Sequence, residues 1–178
     1  ALDYIGYYNE FSIENYLLFG NAFLKARMYN MAIKQFQNGI KFFNKYSQKI
    51  KCLSDLSEKV KGDFNNNFRD AVKLSSPYFI ISKLYNNIGN AYNKIGNYKL
   101  AETYLTKAMH FENNSYILNN LALSFKAQGK NTKAINFLLK ASKIDPNSAK
   151  IYFNLAETYL SSGDKKNTIE CLNKTIEI

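Results

Sequence analysis

The chain repeats itself. Tyr85, Ile88, Gly89, Tyr92, Gly96, Ala101, Leu105 and Ala108 return 33 residues later as Leu118, Leu121, Ala122, Phe125, Gly129, Ala134, Leu138 and Ala141. After a further 34 residues they return as Tyr152, Leu155, Ala156, Tyr159, Gly163, Thr168, Leu172 and Thr175. A repeat of this length is one supersecondary unit that cannot bury its apolar side alone, so neighbouring copies must stack and share a core. Such a sequence names an architecture well and a partner poorly.

Inside each unit the apolar positions fall at i, i+3 and i+7, then, past a glycine, at i+16, i+20 and i+23. That is helical spacing on two consecutive segments, so each unit is a helix, a tight turn and a second helix. The turn falls at Gly96, Gly129 and Gly163, because a helix commonly ends on a residue at positive φ, which glycine takes without penalty. Gly89, Ala122 and Ala156 on the first helix face Ala101, Ala134 and Thr168 on the second, letting the two backbones approach. Tyr92, Phe125 and Tyr159, with Leu105, Leu138 and Leu172, are the expected wedges between hairpins. Asp145-Pro146 is expected to close one unit and open the next, since proline is tolerated in a helix's first turn; Asn113 and Asn114 occupy the equivalent link.

The pattern of a large residue, an apolar-small pair, an aromatic, glycine, alanine, leucine and alanine resembles the tetratricopeptide repeat (TPR) family. The resemblance covers residues 82–178, as units 82–114, 115–148 and 149–178. It implies an all-α fold, a right-handed superhelix of antiparallel helical hairpins whose concave face is lined by first helices and usually binds a peptide or protein.

Before residue 82 the pattern is looser. Tyr16, Phe19, Gly20, Phe23, Tyr29, Ala32, Phe36 and Gly39 fit the same template, with Arg27 where the turn glycine belongs, and define a TPR-like unit over 13–46. A divergent helical unit over 47–81 holds Ile50, Leu53, Leu56 and Val60, then Phe64, Phe68, Ala71 and Val72, at helical spacing. Residues 31–61 contain no proline and only Gly39, which allows one long helix; a break near Asn44 is the alternative. Asp63 reads as a helix N-cap, and Ser76-Pro77 as a cap with a first-turn proline. Residues 1–12 form an aromatic-rich segment with Tyr4, Tyr7, Tyr8 and Phe11.

The chain has 178 residues, 46% of them apolar, enough for about five hairpins in one helical domain. No apolar run reaches the roughly 18 residues of a membrane-spanning helix, and the N-terminus lacks a signal-peptide layout. The sequence does not begin with Met and closes on Ile176 and Ile178 without a polar capping helix, so further sequence, a partner or self-association is expected there. The net charge of +10 is spread, about +4 over residues 1–80 and +6 over 81–178. Such a field would suit an acidic partner or nucleic acid, yet no dense basic run appears, and abundant lysine and asparagine equally suit a compositional bias. Cys52 and Cys171 lie far apart in helical patterns, which argues for unpaired core thiols and a reducing compartment such as the cytoplasm.

Catalytic signals are missing. His110 is the only histidine, so no multi-histidine metal site can form, and its place near a helix end suits the helix dipole. There is no phosphate loop, nucleophile elbow or spaced cysteine pair, and Glu102, Glu112, Asp145 and Glu157 are scattered. The chain therefore reads as a non-enzyme with no cofactor and no metal.

What remains is the inner face that the resemblance implies. Asn87, Asn120 and Asn154 fall at one equivalent position of the three first helices, with Lys83, Asn86, Asn90, Tyr116, Asn119, Leu123, Lys126, Lys150, Phe153 and Glu157 at other inner positions. Carboxamides offer donors and an acceptor to an extended backbone. Net hydrogen-bond contributions of about 0.5–1.5 kcal/mol each make apolar pockets at Tyr116, Leu123 and Phe153 necessary as well. Some TPR proteins clamp a C-terminal carboxylate with Lys, Asn, Asn, Lys and Arg. Asn90, Asn120 and Lys150 match the second, third and fourth members, but Asn86 and Asn154 replace two cations and weaken that reading.

The sequence thus points to a protein-interaction module that binds a peptide or helical segment through Lys83, Asn87, Asn90, Tyr116, Asn120, Leu123, Lys150, Phe153 and Asn154. A basic nucleic-acid binder would differ by steep salt dependence. A structural or regulatory spacer, its groove empty or filled by its own terminal segment, is the third reading.

Overall fold

A computed structural model describes residues 13–59 and 77–178, with the backbone alone for 46–59. The described residues form eight helices: α1 (Ile13–Lys25), α2 (Tyr29–Lys59), α3 (Pro77–Ile95), α4 (Tyr98–Phe111), α5 (Ser115–Ala127), α6 (Asn131–Ile144), α7 (Ala149–Ser161) and α8 (Lys165–Glu177). Tyr4, Tyr7, Tyr8, Phe11, Asp63 and the apolar pattern of 60–72 lie outside the described residues, as do the side chains of Ile50, Cys52, Leu53 and Leu56. The chain divides into two compact units, 1–88 and 89–178, with the boundary inside α3.

In the first unit α1 and α2 form a hairpin. Gly20 is buried where a Cβ would run into the Phe36 ring, so only glycine lets the helices close to this distance. The turn is made by Arg27, at φ 58°, in the left-handed region that glycine usually fills. Its N–H donates to Leu24 O at 3.0 Å and that of Met28 to Phe23 O at 2.9 Å, the paired bonds of a Schellman turn. The missing glycine therefore changes the strain of the turn and not its geometry. α2 then runs unbroken for 31 residues, about 46 Å, so the stretch without helix breakers is one helix and no break falls near Asn44. Ile80, Ile81, Leu84 and Ile88 on the first part of α3 are buried with Ala32, Phe36 and Phe43 of α2. Phe43 also meets Tyr78 edge-on at 5.9 Å.

The second unit shows the repeat at full regularity. Gly96, Gly129 and Gly163 stand at φ 88°, 73° and 79°. The residue after each donates back to the aromatic of the first helix: Asn97 to Tyr92 O, Lys130 to Phe125 O and Asp164 to Tyr159 O, at 2.9, 2.9 and 3.0 Å. Second helices start on side-chain caps at Asn97, which accepts from Leu100 N–H at 3.3 Å, and Asp164, which accepts from Asn167 N–H at 3.1 Å. Lys130, at the equivalent position, makes no such cap bond.

One apolar cluster joins the hairpins through Ala101, Leu105, Leu118, Leu121, Ala122, Phe125, Ala134, Leu138, Ala141, Ile151 and Leu155. Two expectations fail here. Pro146 does not sit in the first turn of α7, which starts at Ala149. It follows the C-cap of α6, Asp145, whose backbone (φ −129°, ψ 82°) has left the helical region, as a residue before proline favours. Leu172, expected as a wedge, is 39% exposed, although its counterparts Leu105 and Leu138 are fully buried.

Candidate peptide-binding face

The geometry of the second unit follows from how first helices stack. α5 rests against α7 through polar pairs. Asn154 Nδ2 donates to Asn119 Oδ1 at 2.6 Å, with both residues buried. On the rim, Lys126 Nζ meets Glu157 Oε2 at 2.8 Å. Residues 116, 119, 123 and 126 share one side of α5, and residues 150, 153, 157 and 160 one side of α7. The bridge shows that both sides open onto the same surface.

The C-terminal turns of α3 join α5 in the same manner. Asn93 Nδ2 donates to Asn120 O at 3.0 Å, and Ser124 Oγ donates to Asn93 Oδ1 at 2.7 Å. Gln128 extends this link by donating to Ser124 O at 3.0 Å and to Glu102 Oε2 at 3.2 Å. An amide at a helix-to-helix contact must be paired, because an unsatisfied buried carboxamide atom costs about 1–3 kcal/mol. Facing asparagines satisfy each other.

The structure accordingly separates the residues singled out from sequence. Tyr116 is 70% exposed, Phe153 is exposed, and Leu123 is half-buried. Lys150 is exposed beside Phe153, and Asn90 is half-buried. Asn154, by contrast, spends its amide on Asn119, and the backbone carbonyl of Asn120 accepts from Asn93. In the first unit Asn87 Nδ2 donates to Asn21 Oδ1 at 2.7 Å, and Lys83 Nζ lies 4.0 Å from the centroid of the Phe79 ring. Within the second unit Tyr116 and Leu123 on α5 and Lys150 and Phe153 on α7 lie outside the buried cluster, while Asn154 is buried against Asn119.

Sequence reasoning passed over Leu160. It is 62% exposed and lies seven residues beyond Phe153 on the same side of α7. The signal was available, since Asn93 and Lys126 hold the equivalent positions in the other hairpins and an apolar residue there is out of pattern.

Cys171, half-buried beside the core, has its thiol pushed above the ordinary range by burial and then by the charges of Glu170 and Asp164, so it stays protonated at neutral pH. Burial, followed by the Cys171, Asp164 and Glu170 neighbours, likewise raises Tyr159. Among the described residues no group of His, Cys, Asp and Glu could hold a metal ion, and no helix is long and apolar enough to cross a membrane.

Hairpins that share one apolar cluster and leave one side of their first helices open define an all-α helical-repeat scaffold. The second part of the chain carries tetratricopeptide repeats: the family model described as TPR repeat matches residues 122–163, and the one described as Tetratricopeptide repeat matches 82–112 and 149–178. Solved structures share the fold. MamA MSR-1 is 18% identical, with 95% of this chain and 78% of that chain covered at a TM-score of 0.61. BtubC (BKLC) from P. vanneervenii is 13% identical, covering 93% of this chain and 62% of that one at 0.69. MamA from Desulfovibrio magneticus RS-1, residue 41 to its end, is 20% identical, covering 93% of each at 0.52. No curated protein matches the sequence. Tetratricopeptide repeats build protein-interaction scaffolds, and that general role is the one the repeats of this chain support.

Proposed function

We propose that the open side of α5 and α7 binds a short extended or helical segment of a protein partner, with Tyr116, Leu123, Phe153 and Leu160 as apolar anchors. The observation that carries this reading is the pair of exposed aromatics, Tyr116 and Phe153, on helices whose other sides are buried in the core. Large side chains left in water on a rigid helix face are the type that dominate binding energy once covered. Lys150 and Asn90 add a cation and an amide at the edge, which suits a segment with an acidic residue next to its apolar ones. The inward amides of Asn87 and Asn154 support the helices and leave the anchors to supply affinity. Four anchors against a short segment correspond to a Kd on the order of micromolar, about −8 kcal/mol.

The test is selection of binding peptides from a displayed random library on the intact chain, followed by titration of the selected peptide. Phe153→Ala and Tyr116→Ala should each weaken binding by about 5- to 30-fold, as expected for a loss of ~1–2 kcal/mol at a hot spot. Salt should matter little, because apolar contacts are not screened. Peptides that bind both variants as tightly as the parent chain, or whose affinity collapses with added salt, would remove this reading.

A further inference from the structure

α6 lies inside the second unit, with α4 and α5 before it and α7 and α8 after it. What its outer side shows to water is therefore set by its own sequence. That helix carries Lys133, Lys140 and Lys143, all exposed, and no acidic residue from Asn131 to Ile144. A chain rich in lysine accounts for the cations but not for the missing acids: α8 pairs Lys174 with Glu177 at 3.4 Å, and Lys126 of α5 pairs with Glu157 of α7 at 2.8 Å.

Packing joins the cations into one strip. Phe125 and Phe137 stack with ring centroids 5.4 Å apart. Lys130 and Lys133 lie 5.6 and 5.5 Å from the Phe125 centroid, and Lys140 lies 5.4 Å from that of Phe137. Lys130 in turn shares with Lys99 the lining of a hollow of about 700 Å³ between the α3–α4 turn and the end of α5. Among the described residues, Glu102, 3.6 Å from Lys130, is the one acid paired with this strip. Lys130 and Lys133 also stand at the start of α6, where Asn97 and Asp164 cap α4 and α8. Cations at the positive end of a helix dipole are unfavourable in the free protein, and a bound anion relieves that repulsion.

We propose that the strip of Lys99, Lys130, Lys133 and Lys140 docks an acidic segment of a partner protein, one rich in Asp and Glu. Charge complementarity carries the assignment, since unpaired lysines on one surface attract a run of carboxylates and steer it in. Two features favour a protein segment over a nucleic acid. Phe125 is 5% exposed, and lysine ends lie over it and over Phe137, so the strip offers no open ring for bases to stack on. The second unit also contains no arginine, the residue whose planar fork suits bidentate phosphate contacts. The strip belongs to the second helices, whereas Tyr116 and Phe153 belong to the first, so the inference is independent of the peptide-binding reading.

Anisotropy titrations of the 178-residue chain test it, with a fluorescein-labelled poly-glutamate peptide and a thymidine oligonucleotide of matched charge as the two probes. The peptide should bind, and raising salt from about 50 to about 200 mM should weaken it roughly tenfold. Lys133→Gln with Lys140→Gln removes two exposed charge pairs and should weaken binding by about 2- to 30-fold. Lys165→Gln with Lys166→Gln removes the same charge from the start of α8 and should stay within about twofold of the parent. Tyr116→Ala with Phe153→Ala should bind poly-glutamate as the parent does. All these positions are exposed, and far-UV circular dichroism checks that each variant keeps its helices. A parent chain that ignores the peptide, equal losses in the two glutamine variants, loss in the Tyr116 and Phe153 variant, or tighter binding of the oligonucleotide than of the peptide would each overturn the proposal.

Discussion

The buried contact between Asn119 and Asn154 gives the sharpest test of which asparagines hold the helices and which are left for a ligand. Asn154→Leu keeps the size and shape of the side chain and removes its donor, so Asn119 Oδ1 loses the partner it holds at 2.6 Å in a site closed to water. Leaving that acceptor unsatisfied should cost about 1–3 kcal/mol. In a chain of this length each kcal/mol lowers Tm by about 2–4 °C, so the expected drop is roughly 2–12 °C. Asn119→Leu should cost a similar amount. The double variant replaces both polar groups by apolar ones of similar shape and should return close to the parent.

Urea titrations followed by circular dichroism, arranged as a double-mutant cycle, would measure a coupling equal to the two single costs together, about 2–6 kcal/mol. The reasoning fails if Asn154→Leu changes stability by less than about 0.5 kcal/mol while weakening a bound peptide, because Asn154 would then be a ligand group. It also fails if the double variant is as damaged as the sum of the singles.

The turns and caps offer three smaller tests. Arg27→Gly relieves a side chain at φ 58° and should stabilise the chain by about 0.5–1 kcal/mol in a thermal melt, whereas Gly129→Ala, with nothing within 4 Å of the added Cβ, should destabilise by a similar amount through conformation alone. Lys130→Asn supplies the cap that α6 lacks and should raise stability by about 0.5–1 kcal/mol, a gain that exceeds the exposed 3.6 Å contact with Glu102 it gives up. The carboxyl of Asp164 is held below its ordinary value by the Asn167 side chain and then by the Asn167 N–H. A depressed folded-state value means that its contribution is complete above the unfolded value and is lost as pH falls through the folded one. Asp164→Asn keeps an acceptor without a titration and should show a shallower loss of Tm on acidification below about pH 4; equal slopes would contradict the assignment.

Much of the fold was legible because the positions that repeat are those the core constrains. Gly96, Gly129 and Gly163 announced the turns, and Leu105 and Leu138 the joints. Arg27 hid a turn of the same geometry, since the paired backbone bonds of a helix end form whatever side chain bears the strain. Pro146 could be assigned to the wrong side of its link because proline ends one helix about as readily as it begins the next. The asparagine column was misleading for a physical reason. On a helix, residues one position apart point about 100° from each other, and that rotation decides whether a carboxamide meets solvent or the neighbouring first helix. Sequence placed Asn87, Asn120 and Asn154 at one register but could not supply the partners that lie across the helix contact, Asn21 for the first and Asn119 for the last.

The candidate site is hard to read for the converse reason. Positions that pack agree between hairpins: Ile88, Leu121 and Leu155, or Ala101, Ala134 and Thr168. Positions on the open face differ: Lys83, Tyr116 and Lys150; Asn90, Leu123 and Glu157; Asn93, Lys126 and Leu160. The apolar core makes no demand there, and where no inter-helix bond ties the side chain down, as one does at Asn93 and between Lys126 and Glu157, the residue is free to vary from hairpin to hairpin. A partner able to distinguish this chain from another array of the same fold must do so at those variable positions. That is why Tyr116, Phe153 and Leu160, which add nothing to the shared core, are where recognition should be sought.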